Sequence, residues 1–281
     1  MWDFEHPPLA AELATRYQVE TMSPAECADR LAAGTADIGL VPIAALATTP
    51  GLRILPGCTI ASKGRVRSLL LVHRKAQPLA KLRSVAADTA SRTTLAYARI
   101  LLNWAGNPAV PFVPMSADLD TMLDRADAAI LIGDPALLAL EERANRFERT
   151  ADELVYLDLA EEWTSTTDVP FVSAVWCAAS GSLGAPGLDL ETGDSIANDF
   201  IHSRDHGLAN IDKLVAEWTR RIPLSEETIR TYLTTNIHYV LDEECIEGMR
   251  VFFEKAAAYG VLPKFDLNLA PHTHATGSSS R

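Results

Sequence analysis

Short apolar runs alternate with amphipathic segments between residues 84 and 145. The apolar runs, which have the length of buried strands, are Ser84–Ala87, Val110–Val113 and Ala128–Ile132. The segments that follow them show helical periodicity and are Ser91–Trp104, Ser116–Arg125 with Ser116 as its cap, and one that starts at Asp134-Pro135. Strand and helix in alternation predict an α/β domain with a parallel sheet and crossover helices.

Two longer apolar strands, near residues 67–73 and 169–178, lie on either side of this block. They would be crossings, that is, places where the chain passes from one lobe to the other, and the first lobe would be built from both ends of the chain. We therefore predict one lobe of residues 1–75 plus 171–281 and a second of residues 76–170. Each lobe would be a mixed sheet flanked by helices, with a ligand cleft between them. A single doubly wound domain with insertions would give a similar pattern.

The rest of the chain is mainly helical by its pattern. Ser23 with Glu26 three residues later forms a capping box that starts one helix. The later predicted helices are Asp194–Arg221, Ser225–Thr234 and Glu243–Ala258. A glycine-rich loop is predicted at Ser180–Gly193, and the Gly/Ser/Thr-rich tail at residues 270–281 is predicted to be disordered.

Composition excludes several classes of protein. The formal net charge of −12 argues against a nucleic-acid binder, and no apolar run is long enough to span a membrane. The N-terminal residues have no signal-peptide pattern, which predicts a cytoplasmic protein. The four cysteines form no CxxC pair and the histidines are scattered, so we expect reduced thiols and no metal. No cofactor motif is present.

Three segments are candidates for ligand chemistry. At Ser91-Arg92-Thr93-Thr94, hydroxyls and a cation coincide with a helix N-terminus, which favours a carboxylate or a phosphate, although simple capping explains any single hydroxyl. Asp134, predicted as the N-cap before Pro135, follows a buried strand, where open α/β sheets bind ligands, although capping alone also explains it. The run Ser62–Ser68 carries three cations that would attract a dicarboxylate or form only a solvated turn.

These segments together resemble the chorismate dehydratase family of the futalosine route to menaquinone. The residues that carry the resemblance are Ala36–Pro42, Ile60–Ser62 with Arg67-Ser68, Ser91–Thr94, Ala128–Leu137, Pro170–Trp176 and Thr235–Ile237. The resemblance implies a class II periplasmic-binding-protein-like fold and the dehydration of chorismate to 3-[(1-carboxyvinyl)oxy]benzoate, without a cofactor. The alternatives are a non-catalytic binding protein for an aromatic carboxylate and the sister naphthoate synthase branch, which acts on cyclic dehypoxanthine futalosine.

The resemblance also assigns expected roles to residues. Ser91, Arg92, Thr93 and Thr94 would hold a substrate carboxylate, Ser62 and Ser68 would line the cleft from the hinge side, and Asp134 at the cleft wall is the candidate base. Family members begin with a strand and an Asn-x-x-Pro segment that enters the cleft. Met1-Trp2-Asp3-Phe4 resembles the residues just after that Asn, so we expect the family's first strand to be missing here. A late start site, a truncated form or a divergent protein would each explain this.

Overall fold

The computed structural model describes residues 1–88, 91–179 and 190–267. Its strands are β1 (Ile38–Pro42), β2 (Leu52–Ser62), β3 (Leu69–Arg74), β4 (Val85–Ala87), β5 (Phe112–Pro114), β6 (Ala128–Ile132), β7 (Leu154–Asp158), β8 (Phe171–Ala179) and β9 (His238–Leu241). Its α-helices are α1 (Trp2–Glu5), α2 (Ala10–Leu13), α3 (Pro24–Ala32), α4 (Arg92–Trp104), α5 (Leu119–Arg125), α6 (Asp134–Glu141), α7 (Arg143–Thr150), α8 (Leu159–Thr167), α9 (Leu190–Ala209), α10 (Ile211–Trp218), α11 (Glu226–Thr231) and α12 (Glu243–Ala258).

The strands form two sheets. One has four strands in the order β1-β8-β2-β9, with antiparallel neighbours throughout. The other has five strands in the order β5-β4-β6-β3-β7, in which β4 runs parallel to β5 and β6, while β3 is antiparallel to β6 and β7. The parallel sheet with crossover helices that the alternation predicted is confirmed in β4, β5 and β6, and both sheets are flanked by helices.

The predicted lobe boundaries stay a prediction, but the strand pairing bears on where they would lie. The four-stranded sheet draws strands from both sides of the five-stranded one along the chain. Strand β3, which the predicted boundaries assign to the first lobe, pairs with β6 and β7 of the second sheet. By pairing alone, the first crossing between the sheets lies between β2 and β3, at residues 63–68.

A buried aromatic group joins the two sheets. The ring of Tyr97 on α4 stacks on Phe171 of β8 at 3.9 Å, and its edge meets Trp163 of α8. The Tyr97 hydroxyl donates to the carbonyl of Val172 at 3.3 Å. Helix α4 follows strand β4 of the five-stranded sheet, whereas β8 belongs to the four-stranded sheet. These contacts therefore hold the two sheets together near the second crossing, which immediately precedes β8.

Helix starts account for most differences from the predicted elements. Ser23 caps α3 by accepting from the N–H of Glu26, which confirms the capping box. Asp118, not Ser116, caps α5, because its carboxylate accepts from the N–H of Thr121. The predicted helix at 194–221 is two helices, α9 and α10, separated at Asn210, and α9 already begins at Leu190. The predicted loop Ser180–Gly193 is wrong at residues 190–193, which belong to α9; residues 180–189 and the tail at 270–281 lie outside the described residues.

Candidate functional site

The candidate site residues gather where three strand ends of the five-stranded sheet meet. Strands β4 and β6 are parallel and end together, with Ala87 opposite Ile130. The start of antiparallel β3 lies beside the end of β6, with Leu69 opposite Ile132. As a result, the N–H of Gly133 donates to the carbonyl of Ser68 at 2.7 Å. The segments that begin α4 and α6 and end the first crossing therefore share one edge, the carboxyl edge of the parallel strands.

The first turn of α4 is rich in hydroxyls, and the three residues that carry them are buried. The Ser91 hydroxyl caps the helix by accepting from the N–H of Thr94 at 3.3 Å, and the Ser91 carbonyl accepts from the N–H of Leu95. The N–H groups of Arg92 and Thr93 have no carbonyl partner within the helix. Thr94 is fully buried, and its hydroxyl oxygen has no hydrogen-bond partner in the described structure. This turn therefore combines the positive end of a helix dipole with a buried hydroxyl that lacks a partner.

The two remaining residues of this turn make contacts with the other half of the molecule. The hydroxyl of Thr93 accepts from the N–H of Ala44, at 3.0 Å, in the short 3-10 turn Ile43–Ala47 that follows β1. The guanidinium of Arg92 lies on the exposed side of α4 and pairs with Asp29 of α3 at 3.2 Å. Thr93 thus connects the four-stranded sheet to the start of α4, and Arg92 would have to leave Asp29 in order to reach a ligand.

Helix α6 begins differently, and here the predicted cap is wrong. Gly133, with a φ of 72°, is the N-cap residue, while Asp134 and Pro135 occupy the first two helical positions. A positive φ favours glycine, and the preceding strand ends at Ile132, so the chain turns at Gly133. The side chain of Asp134 does not cap the helix. It is exposed, and its carboxylate acts electrostatically on the nearby Tyr232 hydroxyl.

Ser68 lies in the wall formed by the first crossing. Its side chain is buried and accepts a hydrogen bond from the Tyr232 hydroxyl at 3.1 Å. Burial raises the pKa of Tyr232, and the negative charge of Asp134 raises it further, while the bond to Ser68 opposes the shift. Tyr232 therefore stays protonated and able to donate near neutral pH.

The other predicted residues of this crossing are already engaged within the protein. The Ser62 hydroxyl is buried and donates to the carbonyl of Gly64 at 2.9 Å, two residues further on. The three cations of the run pair with carboxylates: Lys63 with Asp242 at 2.8 Å, Arg65 with Glu161 at 2.8 Å and Arg67 with Glu141 at 3.3 Å. The solvated-turn interpretation fits these contacts better than a dicarboxylate receiver does.

Two residues next to this site escaped the sequence-based search. Asp158 at the end of β7 is 5% exposed, and its carboxylate accepts from the N–H groups of Val66, Arg67, Ala160 and Glu161. Burial raises its pKa, while these hydrogen bonds oppose the shift. Asn236 donates through Nδ2 to the carbonyl of Arg65 at 3.0 Å. An acidic residue between an apolar run and a helix was a usable signal for Asp158. Asn236 lies in the segment Thr235–Ile237, which carries the family resemblance, but no local pattern marked it as a site residue.

One group of side chains has the donor types of a metal site. His238, Asp242 and Cys245 bring their ligand atoms within 4.8 Å of one another. However, Asp242 is the N-cap of α12, accepts from the N–H of Cys245, and pairs with Lys63. Burial raises the pKa of Cys245 to about 12. A protonated thiol and an adjacent ammonium both disfavour a cation here, and the prediction of no metal stays a prediction.

An apolar cavity of about 270 Å³ lies against the four-stranded sheet. Its walls include Trp2, Trp176, Phe200 and Tyr239, and none of the predicted site residues lines it. Within the described part of the chain, no helix is long and apolar enough to cross a membrane.

Comparison with solved structures gives the fold. Protein AF1704 of Archaeoglobus fulgidus is 14% identical with a TM-score of 0.65, covering 93% of this chain and 94% of that one. The periplasmic aliphatic sulphonate binding protein SsuA of Escherichia coli is 16% identical with a TM-score of 0.60, covering 91% and 88%. The CA3427 product of Candida albicans, described as having the generic periplasmic binding protein fold, is 13% identical with a TM-score of 0.61, covering 90% and 84%. These similarities confirm the predicted periplasmic-binding-protein-like fold.

Comparison of sequences gives the family. The chorismate dehydratase of Thermus thermophilus is 29% identical over 210 residues, which cover 72% of this chain and 73% of that protein. The family described as menaquinone biosynthesis matches residues 3–258, nearly the whole of the described chain. The chain belongs to this menaquinone biosynthesis family.

Proposed function

We propose that the protein is a chorismate dehydratase, which converts chorismate to 3-[(1-carboxyvinyl)oxy]benzoate and water. The observation that carries the proposal is the pairing of two unlike helix starts at one sheet edge, one suited to an anion and one carrying an exposed carboxylate. The family membership and the chorismate dehydratase relative support this substrate over other aromatic acids. The reaction class is a carbon–oxygen lyase.

The start of α4 is the proposed receiver of a substrate carboxylate. The first N–H groups of a helix, which lack intrahelical partners, and the helix dipole favour an anion, and the buried Thr94 hydroxyl supplies a donor that has no partner among the described residues. Ser91 holds the turn in place as the cap. Thr93 contributes through its bond to Ala44, and Arg92 would add its charge after exchanging Asp29 for the substrate. Ser62 and Ser68 would form the wall on the hinge side.

The reaction needs one proton acceptor and one leaving group. A proton passes from the ring carbon next to the one that carries the hydroxyl to the acceptor, and the carbon–oxygen bond breaks with its electron pair on the oxygen while the ring becomes aromatic. The departing hydroxide takes up one proton, so the net loss is one molecule of water. Asp134 is the proposed acceptor, because its exposed carboxylate lies on the same edge as the α4 turn. A carboxylate of the substrate itself is the competing acceptor.

We propose further that the substrate binds between the two sheets. The hydrogen bond between Thr93 and Ala44 and the packing of Tyr97 on Phe171 place the start of α4 against the other half of the molecule. The two predicted lobes are the units that would open to admit the ligand, with the crossings near residues 63–68 and 168–170 as the connections.

The test is to incubate the purified protein with chorismate and to follow the ultraviolet spectrum and the mass of the product. A dehydratase yields a product lighter by one water. A binding protein returns chorismate unchanged, and a naphthoate synthase acts on cyclic dehypoxanthine futalosine instead. Either of these outcomes would refute the proposed activity.

A further inference from the structure

The segment between α11 and β9 contacts the first crossing through two side chains. Tyr232–Asn236 is a π-helical turn, and its first and last residues lie four positions apart. Tyr232 donates to the Ser68 hydroxyl at 3.1 Å, and Asn236 donates through Nδ2 to the carbonyl of Arg65 at 3.0 Å. Single π-helical turns within proteins are frequent at functional sites. The π-helical turn is therefore bound to the first crossing at two points. The same crossing contacts the start of α6, because the carbonyl of Ser68 accepts from the N–H of Gly133.

Asn236 holds an acceptor that nothing in the described protein uses. The residue is 8% exposed, and its Oδ1 atom is buried without a hydrogen-bond partner. The amide cannot simply be turned around to relieve this, because Nδ2 is needed as the donor to the Arg65 carbonyl. Buried polar groups in folded proteins are almost always paired, so an unpaired oxygen on a segment that contacts the wall of the proposed ligand site calls for an outside partner.

The chemistry of the atom restricts that partner. An amide carbonyl oxygen only accepts hydrogen bonds, so the partner is an O–H or N–H group and not a carboxylate. The proposed substrate carries two carboxylates and a single hydroxyl on its ring, and dehydration removes that hydroxyl. The substrate therefore offers one neutral donor that the product lacks.

We infer that Asn236 Oδ1 accepts the hydrogen bond of the ring hydroxyl of the substrate. This inference rests on the proposed function and names the residue that distinguishes the substrate from the product. The bond orients the hydroxyl beside the crossing that adjoins Gly133 and Asp134. Once water has been lost, Oδ1 again has no partner, which weakens binding of the product and favours its release.

The test measures substrate and product separately in wild type and in Asn236→Leu, which keeps the approximate volume and removes the amide. We expect kcat/KM for chorismate to fall at least about tenfold in the variant, the loss that one hydrogen bond of this kind produces. The inhibition constant of 3-[(1-carboxyvinyl)oxy]benzoate should change by less than about twofold, because this molecule has no hydroxyl for Asn236 to accept. If Asn236 acted only through its hydrogen bond to the Arg65 carbonyl, the kcat/KM of chorismate and the inhibition constant of the product would be impaired alike. That result would overturn the inference.

Tyr232→Phe is the matched control. It removes the other bond from the same turn to the crossing, so it should alter the constants of chorismate and product in equal proportion. If Asn236→Leu does not fold, Asn236→Ala gives the same comparison of two ligands.

Failure of the proposed function would be visible independently. A wild-type protein that binds chorismate without turnover would refute the dehydratase, yet the dissociation constants of chorismate and product in both proteins, measured by calorimetry, would still test Asn236. A wild-type protein that binds neither molecule would overturn both proposals.

Discussion

Helices α4 and α6 follow neighbouring parallel strands, yet their first turns have opposite character. The α4 turn begins with a serine cap, and the three residues that carry its hydroxyls are buried. The α6 turn begins with a glycine that has no side chain to cap the helix, and its first residue is the exposed Asp134. Both helix dipoles point their positive ends at the same edge of the sheet.

The difference shows how one edge can serve two purposes. At α4 the first N–H groups have no carbonyl partner within the helix, and the Thr94 hydroxyl has no partner among the described residues, so this turn can receive an external anion. At α6 an internal carboxylate already supplies the negative charge near the dipole. A substrate with a carboxylate would therefore settle at α4 and not at α6, which leaves Asp134 free to face its reacting ring.

The largest expected effect comes from removing the charge at α6. Asp134→Asn should lower kcat for chorismate by about 100-fold or more if this carboxylate takes the proton, while KM changes little. Stability should hardly change, since the side chain is exposed and does not cap the helix. Steady-state kinetics and a thermal melt decide this. Nearly full turnover with intact binding would assign the proton to the carboxylate of the substrate.

The next effect is expected at the unpartnered hydroxyl of α4. Thr94→Val should raise KM about tenfold through the loss of one charge-assisted hydrogen bond. The stability of the unliganded protein should stay the same or increase, because the buried hydroxyl has no partner to lose. The neighbouring Thr93→Val is the control, since it leaves the N–H of Ala44 unpaired and should cost about 1–3 kcal/mol. Loss of stability in Thr94→Val would contradict the assignment.

A smaller effect is expected from the cap of α4. Ser91→Ala should lower the free energy of unfolding by about 1 kcal/mol and raise KM, because the cap fixes the turn that receives the carboxylate. Ser23→Ala removes a serine cap on α3 that likewise accepts from the N–H three residues on, and it should cost similar stability with KM unchanged. Equal KM values in the two variants would show that the α4 turn does not take part in substrate binding.

The smallest effect concerns the ion pair that helps align β4 with β6. The Asp127 carboxylate accepts from the backbone N–H and the guanidinium of Arg83, and these bonds lower its pKa to about 2. A lowered pKa in the folded state means that the stabilisation is complete above the unfolded pKa, near 4, and is lost as the pH falls towards 2. Asp127→Asn should cost roughly 0.5–1 kcal/mol at pH 7. Its melting temperature should converge with that of wild type near pH 2, and a constant difference would contradict this origin.

Sequence patterns predicted the elements better than the contacts. The alternation around β4, β5 and β6 and the capping box at Ser23 follow from local periodicity and local hydrogen bonds, so they were predictable. The cap of α6 is Gly133 and not the predicted Asp134. The chain turns at Gly133, where its N–H donates to the carbonyl of Ser68, 65 residues earlier in the chain. Arg92 paired with α3, and Lys63 with the cap of α12, for the same kind of reason. Such partners depend on tertiary packing, which no local pattern contains.

The carboxylate of Asp158 has a consequence for redesign of the chain. The polar turn at residues 63–67 has the composition of a site where new termini or an inserted domain are usually tolerated. Yet the N–H groups of Val66 and Arg67 there supply half of the four backbone donors that satisfy a buried charge. We therefore expect circular permutants opened at this turn to fail, because a buried carboxylate would lose two of its donors. Permutants opened at Gly106, a turn in which an added side chain would meet open space, should fold.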